Sequence, residues 1–209
     1  MTGPLSGVTI LDLTSVISGP LATSILGDQG ARVIKVESPN GDSMRMAGAI
    51  KGGVSSLFSA INRNKESIAL DLRKPKAIEI VNKIAARADI CIQNYRPGVV
   101  EKLGIGYDDL KKINPGLIYA SISGVGAEGP YSQRRVYDPV IQAYAGFASA
   151  QTTNGEPGLI KMMICDKVTS LTMAQAITAA LYDRKNTGEG QHVEVSMLES
   201  MYFTLCTEL

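Results

Sequence analysis

The sequence predicts an α/β fold built around a mainly parallel sheet. Short segments rich in β-branched residues alternate with helical segments along the chain, and no internal repeat is visible. Strands separated by helices of about ten residues are typical of parallel sheets, because a parallel pair needs a long crossover connection. The predicted architecture is therefore a doubly wound, Rossmann-like sheet that carries helices on both faces.

The elements can be placed in order along the chain. Strands are predicted at residues 7–14, 31–38, 67–72, 89–94, 116–123 and 191–198. Helices are predicted at residues 19–30, 74–88, 98–104 and 107–114, from about 139 to 150, and in a long segment after Asp166. The clearest helical periodicity lies in 74–88, where Ala77, Ile78, Ile80, Val81 and Ile84 share one face.

The chain length allows one large domain with a sizeable core. Residues 1–198 contain all the predicted strands, so we assign them to one domain. Residues 199–209 resemble the opening of a helix, and the sequence stops there without a capping residue or a polar tail. We therefore expect 199–209 to begin a linker towards a part of the protein that this chain does not contain.

Composition narrows the class of protein. The formal net charge is +1, which gives no reason to expect binding to nucleic acid or to an anionic membrane. Three cysteines without C-x-x-C spacing favour reduced thiols in a cytoplasmic protein. A single histidine and scattered cysteines predict no metal site. The N-terminus lacks the features of a signal peptide, and Val168–Leu181 is too short and too polar to cross a bilayer.

Two further motifs are candidates for a cofactor site or a catalytic site. The segment GVGAEG (124–129) matches G-x-G-x-x-G, but the residues after Pro130 do not begin a helix. A dinucleotide site needs that helix N-terminus to bind the pyrophosphate, so we predict no NAD site. His192 lies within a predicted strand, where a lone histidine is more often structural, and no G-x-S-x-G elbow is present.

Polar and basic residues cluster where predicted strands end. They occur in the segments NRNK (62–65), NYRPG (94–98) and QRRVYD (133–138). One interpretation is that these are solvated loops. The other is a ligand site, because ligands of open α/β sheets bind at the carboxyl ends of strands. Arginine and lysine there would contact phosphates, and Tyr95 would stack on a base.

One carboxylate, Asp166, ends the apolar run MMIC and precedes the long helical segment. As an N-cap it would accept hydrogen bonds from the backbone N–H groups of Lys167 to Thr169. Those donors would hold the carboxylate ionised, whereas burial opposes ionisation. An ionised and poorly solvated carboxylate can act as a nucleophile. Both interpretations stay open, since one residue can serve both purposes.

The order of the segments resembles the family III CoA-transferases. This CaiB/BaiF group includes formyl-CoA and carnitine CoA-transferases and the related 2-methylacyl-CoA racemases. The resemblance covers essentially all 209 residues and is carried by the segments at 4–45, 62–72, 94–131, 137–147 and 166–199, among them ILDLTSVISGP, NRNKESIALDL, NYRPGVVEKLG, YDPVIQAYAGF and DKVTSLTMAQ.

The resemblance implies a CoA-binding domain over 1–198 and a catalytic role for Asp166. In transferases of the family, this carboxylate attacks the acyl-CoA thioester and forms a mixed anhydride. Free CoA thiolate then converts the anhydride to an aspartyl-CoA thioester, and a carboxylic acid acceptor repeats the exchange. The residues that match CoA-binding positions of the family are Val16, Ile17, Asn94, Tyr95, Lys102, Arg135 and Tyr137.

Two positions depart from related patterns. Racemases of the family carry a histidine before the aspartate of the YD segment, where this chain has Tyr137. Neutral tyrosine is a poor base near neutral pH, so a transferase is favoured and a 2-methylacyl-CoA racemase is the alternative. Formyl-CoA transferases carry a polar residue where this chain has Ile17, so a larger or more apolar acyl group than formate is expected.

Length is the third departure. Members of the family are about twice as long, and their subunits interlock as a homodimer. The resemblance therefore implies that this chain corresponds to the N-terminal half of such an enzyme and exposes apolar surface that the rest would cover. We expect it to have little or no transferase activity alone. A non-catalytic CoA-binding fragment is the remaining alternative.

Overall fold

The structure, a computed structural model, describes residues 2–208. Its strands are β1 (Thr9–Asp12), β2 (Arg32–Glu37), β3 (Ile50–Lys51), β4 (Val54–Ser55), β5 (Lys65–Ala69), β6 (Ile90–Gln93), β7 (Ile118–Ser123) and β8 (His192–Ser196). Its α-helices are α1 (Ser18–Asp28), α2 (Ser56–Asn62), α3 (Pro75–Ala85), α4 (Val99–Lys102), α5 (Tyr107–Ile113), α6 (Asp138–Tyr144), α7 (Phe147–Ala150), α8 (Ile164–Thr187) and α9 (Met197–Thr204).

Six strands form one sheet in the order β5-β2-β1-β6-β7-β8. Every neighbouring pair in this sheet is parallel. The chain starts at β1 near the centre, runs outward through β2 to the β5 edge, and returns to add β6, β7 and β8 on the other side. The predicted doubly wound α/β fold with a parallel sheet is therefore confirmed.

Each face of the sheet has its own apolar core, which explains why the strands read as continuous apolar runs. Ile10 of β1 packs with α1 and α8 on one face, and its neighbour Leu11 packs with α3 and α5 on the other. β6 and β7 alternate in the same way, because successive side chains of a strand point to opposite faces. Each such side chain contributes about 1.5–3 kcal/mol through burial.

Some elements differ from the predictions. The helix predicted from about 139 to 150 is two helices, α6 and α7, because Gly146 has a left-handed φ of 84° that ends the first one. The β3–β4 hairpin and α2, over residues 50–62, were not predicted. β5 begins at Lys65, two residues before the predicted strand, and ends at Ala69.

The segment predicted to lead out of the domain packs against it. Met201 and Leu205, on α9 and just after it, are buried with Ile141 and Ala145 in a third apolar cluster. Ser196 caps α9 by accepting a hydrogen bond from the backbone N–H of Glu199 at 3.1 Å. The boundary at residue 198 stays a prediction.

Several large apolar side chains on the outer surface of α8 and α9 are exposed. Leu171 is 61% exposed, Tyr182 71% and Phe203 81%. Among residues 2–208, no helix combines the length and the apolar character that a membrane span requires. All three cysteines are unpaired, with Cys91 and Cys165 buried and Cys206 exposed.

At position 19, in the first turn of α1, only glycine fits without a steric clash. A Cβ added at Gly19 would lie 2.4 Å from the Thr14 side chain, whereas a Cβ added at Gly27, in the same helix, would lie 3.4 Å from Val33. We expect Gly19→Ala to lower the free energy of unfolding by about 1–3 kcal/mol through overpacking. Gly27→Ala should be neutral or stabilising by up to about 1 kcal/mol. Urea denaturation measures both, and equal effects of the two variants would contradict the close approach.

Candidate functional site

A cavity of about 270 Å³ opens at the carboxyl ends of the central strands. It lies where β1 and β6 are neighbours, at the point where the chain reverses its direction across the sheet. This is the place at which ligands bind in open α/β sheets. The lining consists of residues 15–18, 94–97, 122–124, 132, 134–137, 166 and 197.

The structure brings most of the predicted site residues together. The cavity is lined by Val16, Ile17, Asn94, Tyr95, Arg135, Tyr137 and Asp166. Lys102 does not line it, since this side chain is exposed at the end of α4. These residues therefore share one cavity, and the roles assigned to them stay predictions.

Asp166 does not cap its own helix, so that prediction is wrong. α8 begins at Ile164, which makes Asp166 the third residue of its first turn. The backbone N–H of Asp166 donates to Oδ2 of Asp138 at 3.0 Å. Gln142 holds Asp138 through a hydrogen bond of 2.7 Å to Oδ1. A carboxylate from α6 therefore caps α8, and the side chain of Asp166 is free to point elsewhere.

The carboxylate of Asp166 lies at the N-terminus of a different helix. The hydroxyl of Ser18, the first residue of α1, donates to Asp166 Oδ1. The N-cap residue of α1 is Ile17, which supplies no side-chain acceptor. Ser170 ties the two helices together here, because its hydroxyl lies 2.7 Å from the carbonyl of Ser18 and 2.6 Å from the carbonyl of Asp166. The dipole of α1 favours an anion at this position.

The pKa of Asp166 is raised above its ordinary value. Burial is the largest cause, because it disfavours the charged form, and the negative charge of Asp138 acts in the same direction. The hydroxyl and the backbone N–H of Ser18 lower the pKa but do not outweigh burial. A helix N-terminus does favour the charged form of this carboxylate, as the sequence predicts. The helix concerned is α1, whereas the prediction was α8.

The loop between β1 and α1 is held in a strained conformation beside Asp166. Val16 has a φ of 69°, which is rare for a β-branched residue. Both polar atoms of the Asn94 side chain are engaged with Ser15: Oδ1 accepts from the backbone N–H at 2.9 Å, and Nδ2 donates to the carbonyl at 2.8 Å. Asn94 therefore clamps this loop. Strain of this kind persists only where the surrounding contacts enforce it.

Further contacts fix Thr14, at the start of the loop between β1 and α1. Asp12 accepts hydrogen bonds from the backbone N–H of Thr14 at 2.9 Å and from its hydroxyl at 2.5 Å. The ammonium group of Lys35 donates to the Thr14 carbonyl at 2.8 Å and lies 3.0 Å from Asp42. Asp12 and Lys35 were not predicted from the sequence as residues of the site. The available signal was a charged side chain inside each of two apolar strands, LDL and VIKVE.

Asp12 is fully buried and is kept ionised by its neighbours. Burial raises the pKa of its carboxyl, but Lys65, Lys35 and the hydroxyls of Thr14 and Thr23 outweigh it and lower the pKa to about 2. Lys65 lies 3.0 Å from Asp12 Oδ2 and also donates to the carbonyl of Pro20 at 2.8 Å. The network thus joins the end of β1 to β5 and to the first turn of α1.

Aromatic and basic side chains form the rim of the cavity. The guanidinium group of Arg134 lies 4.5 Å from the ring centre of Tyr131 and 3.3 Å from the hydroxyl of Tyr144. Arg135 is exposed beside it, and Tyr137 is 67% exposed. Such groups can bind phosphates and stack on planar rings.

Of the other two motifs, His192 does not line this cavity, and the segment 124–129 contributes only Gly124 to it. His192 accepts or donates a hydrogen bond of 2.8 Å with the Ser121 hydroxyl and stacks on Tyr107 with ring centres 4.8 Å apart. Burial lowers the pKa of His192. The segment 124–129 is a loop that no helix follows, and a Cβ at Gly124 would meet Val136 at 2.1 Å. Within the described part of the chain, no cluster of three or more metal-binding side chains is present.

Comparison with known proteins identifies close relatives. The sequence profile of CoA-transferase family III matches residues 5–209. The acetyl-CoA:oxalate CoA-transferase of Acetobacter aceti is 42% identical over 200 residues, which covers 94% of this chain and 51% of the relative. The succinyl-CoA:glutarate CoA-transferase of Homo sapiens is also 42% identical over 200 residues, covering 94% of this chain and 46% of the relative.

A solved structure shows the same fold. The crystal structure of a CaiB/BaiF family protein from Brucella suis has a TM-score of 0.94 and 38% sequence identity to this chain, covering 99% of this chain and 56% of that one. This chain therefore spans about half the length of the curated relatives it matches. Profile, sequence and structure agree with the resemblance found in the sequence, and the chain belongs to CoA-transferase family III.

Proposed function

We propose that the protein moves CoA between carboxylic acids and that Asp166 is the nucleophile. The observation that carries this proposal is the position of the Asp166 carboxylate. It is only 9% exposed, lines the cavity at the switch point of the sheet and has one oxygen held by Ser18. Two relatives support the reaction class, since their names pair acetyl-CoA with oxalate and succinyl-CoA with glutarate.

The proposed chemistry uses one carboxylate for two exchanges. Oδ2 of Asp166 attacks the acyl carbon of the thioester, the C–S bond breaks, and CoA leaves as a thiolate. The thiolate then attacks Cγ of the resulting mixed anhydride and expels the donor acid, which carries Oδ2 away. The acceptor carboxylate attacks Cγ of the aspartyl-CoA thioester and releases the thiolate again. A last attack by the thiolate on the acceptor's acyl carbon forms the new acyl-CoA and frees Asp166.

Burial of Asp166 suits this sequence of acyl intermediates. Each of them is an activated acyl group that water would destroy, so a poorly solvated site protects the energy of the thioester. Burial also raises the pKa of Asp166, and a more basic carboxylate is a better nucleophile once it is ionised.

The CoA contacts belong to the same proposal. Val16, Ile17 and Tyr137 would contact the reactive end of CoA, Tyr95 would contact the adenosine or pantetheine part, and Arg135 and Lys102 would contact the nucleotide phosphates. Asn94 would act on CoA through the loop that it clamps, because both of its side-chain polar atoms are already bonded to Ser15. The apolar character of Ile17 supports an acyl group larger than formate.

The racemase is the alternative reaction, and no contact in the site favours it. Tyr137, which stands where racemases carry their histidine base, is a phenol and is 67% exposed. Incubation of the acyl-CoA in D₂O separates the two reactions. Exchange of the α-hydrogen would favour the racemase, whereas CoA transfer without exchange favours the transferase.

The predicted interlocked homodimer and cytoplasmic location are also proposals. The exposed apolar side chains of Leu171, Tyr182 and Phe203 support a covering partner, since exposed apolar patches mark contact surfaces. A CoA-binding role without catalysis is the outcome expected of this chain if the covering part is required for turnover.

The covalent step predicts that Asp166 is acylated by acyl-CoA. The complete protein is incubated with acetyl-CoA or succinyl-CoA, treated with hydroxylamine, and digested for mass mapping. We expect a hydroxamate at Asp166 that requires acyl-CoA, because hydroxylamine attacks the activated aspartyl carbonyl. Asp166→Asn should abolish it and leave CoA binding intact. A protein that binds CoA and shows no modification of Asp166 would contradict the mechanism.

The raised pKa predicts the pH dependence of both rate and stability. The rate of acylation should fall as the pH falls through a pKa above the ordinary 3.8 of aspartate, since only the ionised form attacks. Folding favours the protonated form, so this group's stabilising effect is present at low pH and is lost as the pH rises through the folded-state pKa. Asp166→Asn should therefore raise the free energy of unfolding at pH 7 by about 0.5–2 kcal/mol.

That gain should shrink as the pH is lowered from 7 towards 4, as measured by urea denaturation at each pH. A gain of equal size at both ends of this range would point to packing instead of charge.

The positions of Arg135 and Lys102 relative to the cavity predict that they contribute differently to CoA binding. Arg135 lines the cavity and Lys102 does not, so Arg135→Ala should weaken CoA binding by about tenfold while Lys102→Ala has a smaller effect. Isothermal titration of CoA at two salt concentrations measures this, and the difference should narrow at high salt. A larger loss for Lys102→Ala would place the nucleotide phosphates at α4.

A further inference from the structure

Ser18 occupies a position that the proposed reaction does not yet use. Its hydroxyl donates to Oδ1 of Asp166, and within residues 2–208 no other side chain donates to this carboxylate. Oδ1 is the oxygen that stays on Asp166 throughout the exchange, because Oδ2 makes the attack. The donor therefore faces the carbonyl oxygen of every acyl-aspartyl intermediate.

We propose that Ser18 is a catalytic residue whose hydroxyl stabilises the oxyanion formed on Oδ1 when Cγ of acylated Asp166 is attacked. The inference rests on the proposed function and adds a named oxyanion donor to it.

The electron balance of the step explains why the donor matters. When the thiolate attacks Cγ of the anhydride, a C–S bond forms and the π electron pair of the carbonyl moves to Oδ1. The pair returns as the Cγ–Oδ2 bond breaks and the acid leaves. Attack by the acceptor carboxylate on the thioester places the same charge on Oδ1 before the C–S bond breaks. The Ser18 proton stays on Ser18 throughout.

The hydrogen bond from Ser18 to Oδ1 is strongest in the tetrahedral species, so it lowers the barrier to attack on Cγ. Before attack, Oδ1 of the acylated residue is a neutral carbonyl oxygen, and in the tetrahedral species it carries a full charge. A donor held against that oxygen therefore binds the transition state more tightly than the intermediate before it. In the free enzyme the same donor binds the charged carboxylate, so it gives no advantage to the first attack, in which Asp166 is the nucleophile.

Ser18 is held rigidly enough for this role. It is 4% exposed, begins α1, and has its carbonyl fixed by the hydroxyl of Ser170 at 2.7 Å. The residues before it are fixed by Asn94 and Lys35 through hydrogen bonds of 2.8–2.9 Å. A donor fixed before the reaction has little reorganisation to undergo when the charge develops.

Thr169 offers a matched control for the test. Its hydroxyl is fully buried near the start of α8 and donates to the carbonyl of Cys165 at 2.6 Å, and among the described residues it makes no hydrogen bond to Ser18 or Asp166. Thr169→Val should thus cost stability as Ser18→Ala does, yet leave the oxyanion donor and the contacts that support it in place. Ser18→Cys is a second variant that keeps the size of the side chain and replaces the hydroxyl by a weak donor.

The experiment follows one intermediate in the complete protein. Acetyl-CoA or succinyl-CoA is added without acceptor, the Asp166–CoA thioester is quantified by mass spectrometry, and hydroxylamine is then added as the attacking probe. We expect Ser18→Ala and Ser18→Cys to slow the conversion of the thioester to the hydroxamate by about 100-fold. Thr169→Val should react at the rate of the unmodified protein. Thermal unfolding of each variant reports the loss of stability.

Each outcome decides the question. Hydroxaminolysis at the unmodified rate in Ser18→Ala or Ser18→Cys overturns the role of Ser18 and leaves the transferase intact. Equal slowing by Thr169→Val also overturns it, since the effect would then come from packing. If the unmodified protein binds acyl-CoA and forms no adduct at Asp166, the transferase mechanism fails, and the role of Ser18 fails with it.

Discussion

The site depends on a single buried carboxylate, Asp12, at the end of the first strand. It is fully buried, and its pKa of about 2 shows that its partners more than compensate for the loss of hydration. The partners that hydrogen-bond to it come from three parts of the chain: Thr14 from the loop after β1, Thr23 from α1, and Lys65 from β5. Removing one partner of a buried charge pair costs about 3–5 kcal/mol, because the other charge is left unpaired. The loop therefore cannot relax independently of the fold, which is how Val16 can be kept at a positive φ beside the cavity.

A second consequence of this anchoring is the meeting of two helix ends. α1 begins without a cap of its own, and the carboxylate of Asp166 from α8 occupies that place. α8 in turn is capped by Asp138 from α6. Two carboxylates thus lie close together in a buried region, where burial, assisted by the negative charge of Asp138, raises the pKa of Asp166. The arrangement is unfavourable for stability and favourable for nucleophilic chemistry, a combination that is common at active sites.

The strands and most helices could be predicted because they follow from periodicity alone. Ile10 and Leu11 are both apolar because each faces its own core, and such runs indicate a parallel sheet without any tertiary information. The location of Asp166 in the cavity also followed from the sequence, through the resemblance to a family. Its exact partners could not be predicted. Whether a carboxylate at a helix start caps that helix depends on competing groups far away in sequence: Asp138 is 28 residues earlier and Ser18 is 148 residues earlier. The break at Gly146 was missed because both halves of that segment favour helix, and only the backbone conformation separates them.

The size of the cavity limits how the proposed substrate can sit. Pockets that enclose a drug-sized ligand are about 300–1,000 Å³, and the cavity here is about 270 Å³. CoA is larger than such ligands, so only its reactive end and the acyl group can lie next to Asp166 under the proposed function. The nucleotide end must then extend over the rim, where Arg134 and Arg135 are exposed. Asp166 itself is buried, whereas the rim above it is open, so under the proposed function water can reach the acyl side of the anhydride in this chain but has little access to the aspartyl side.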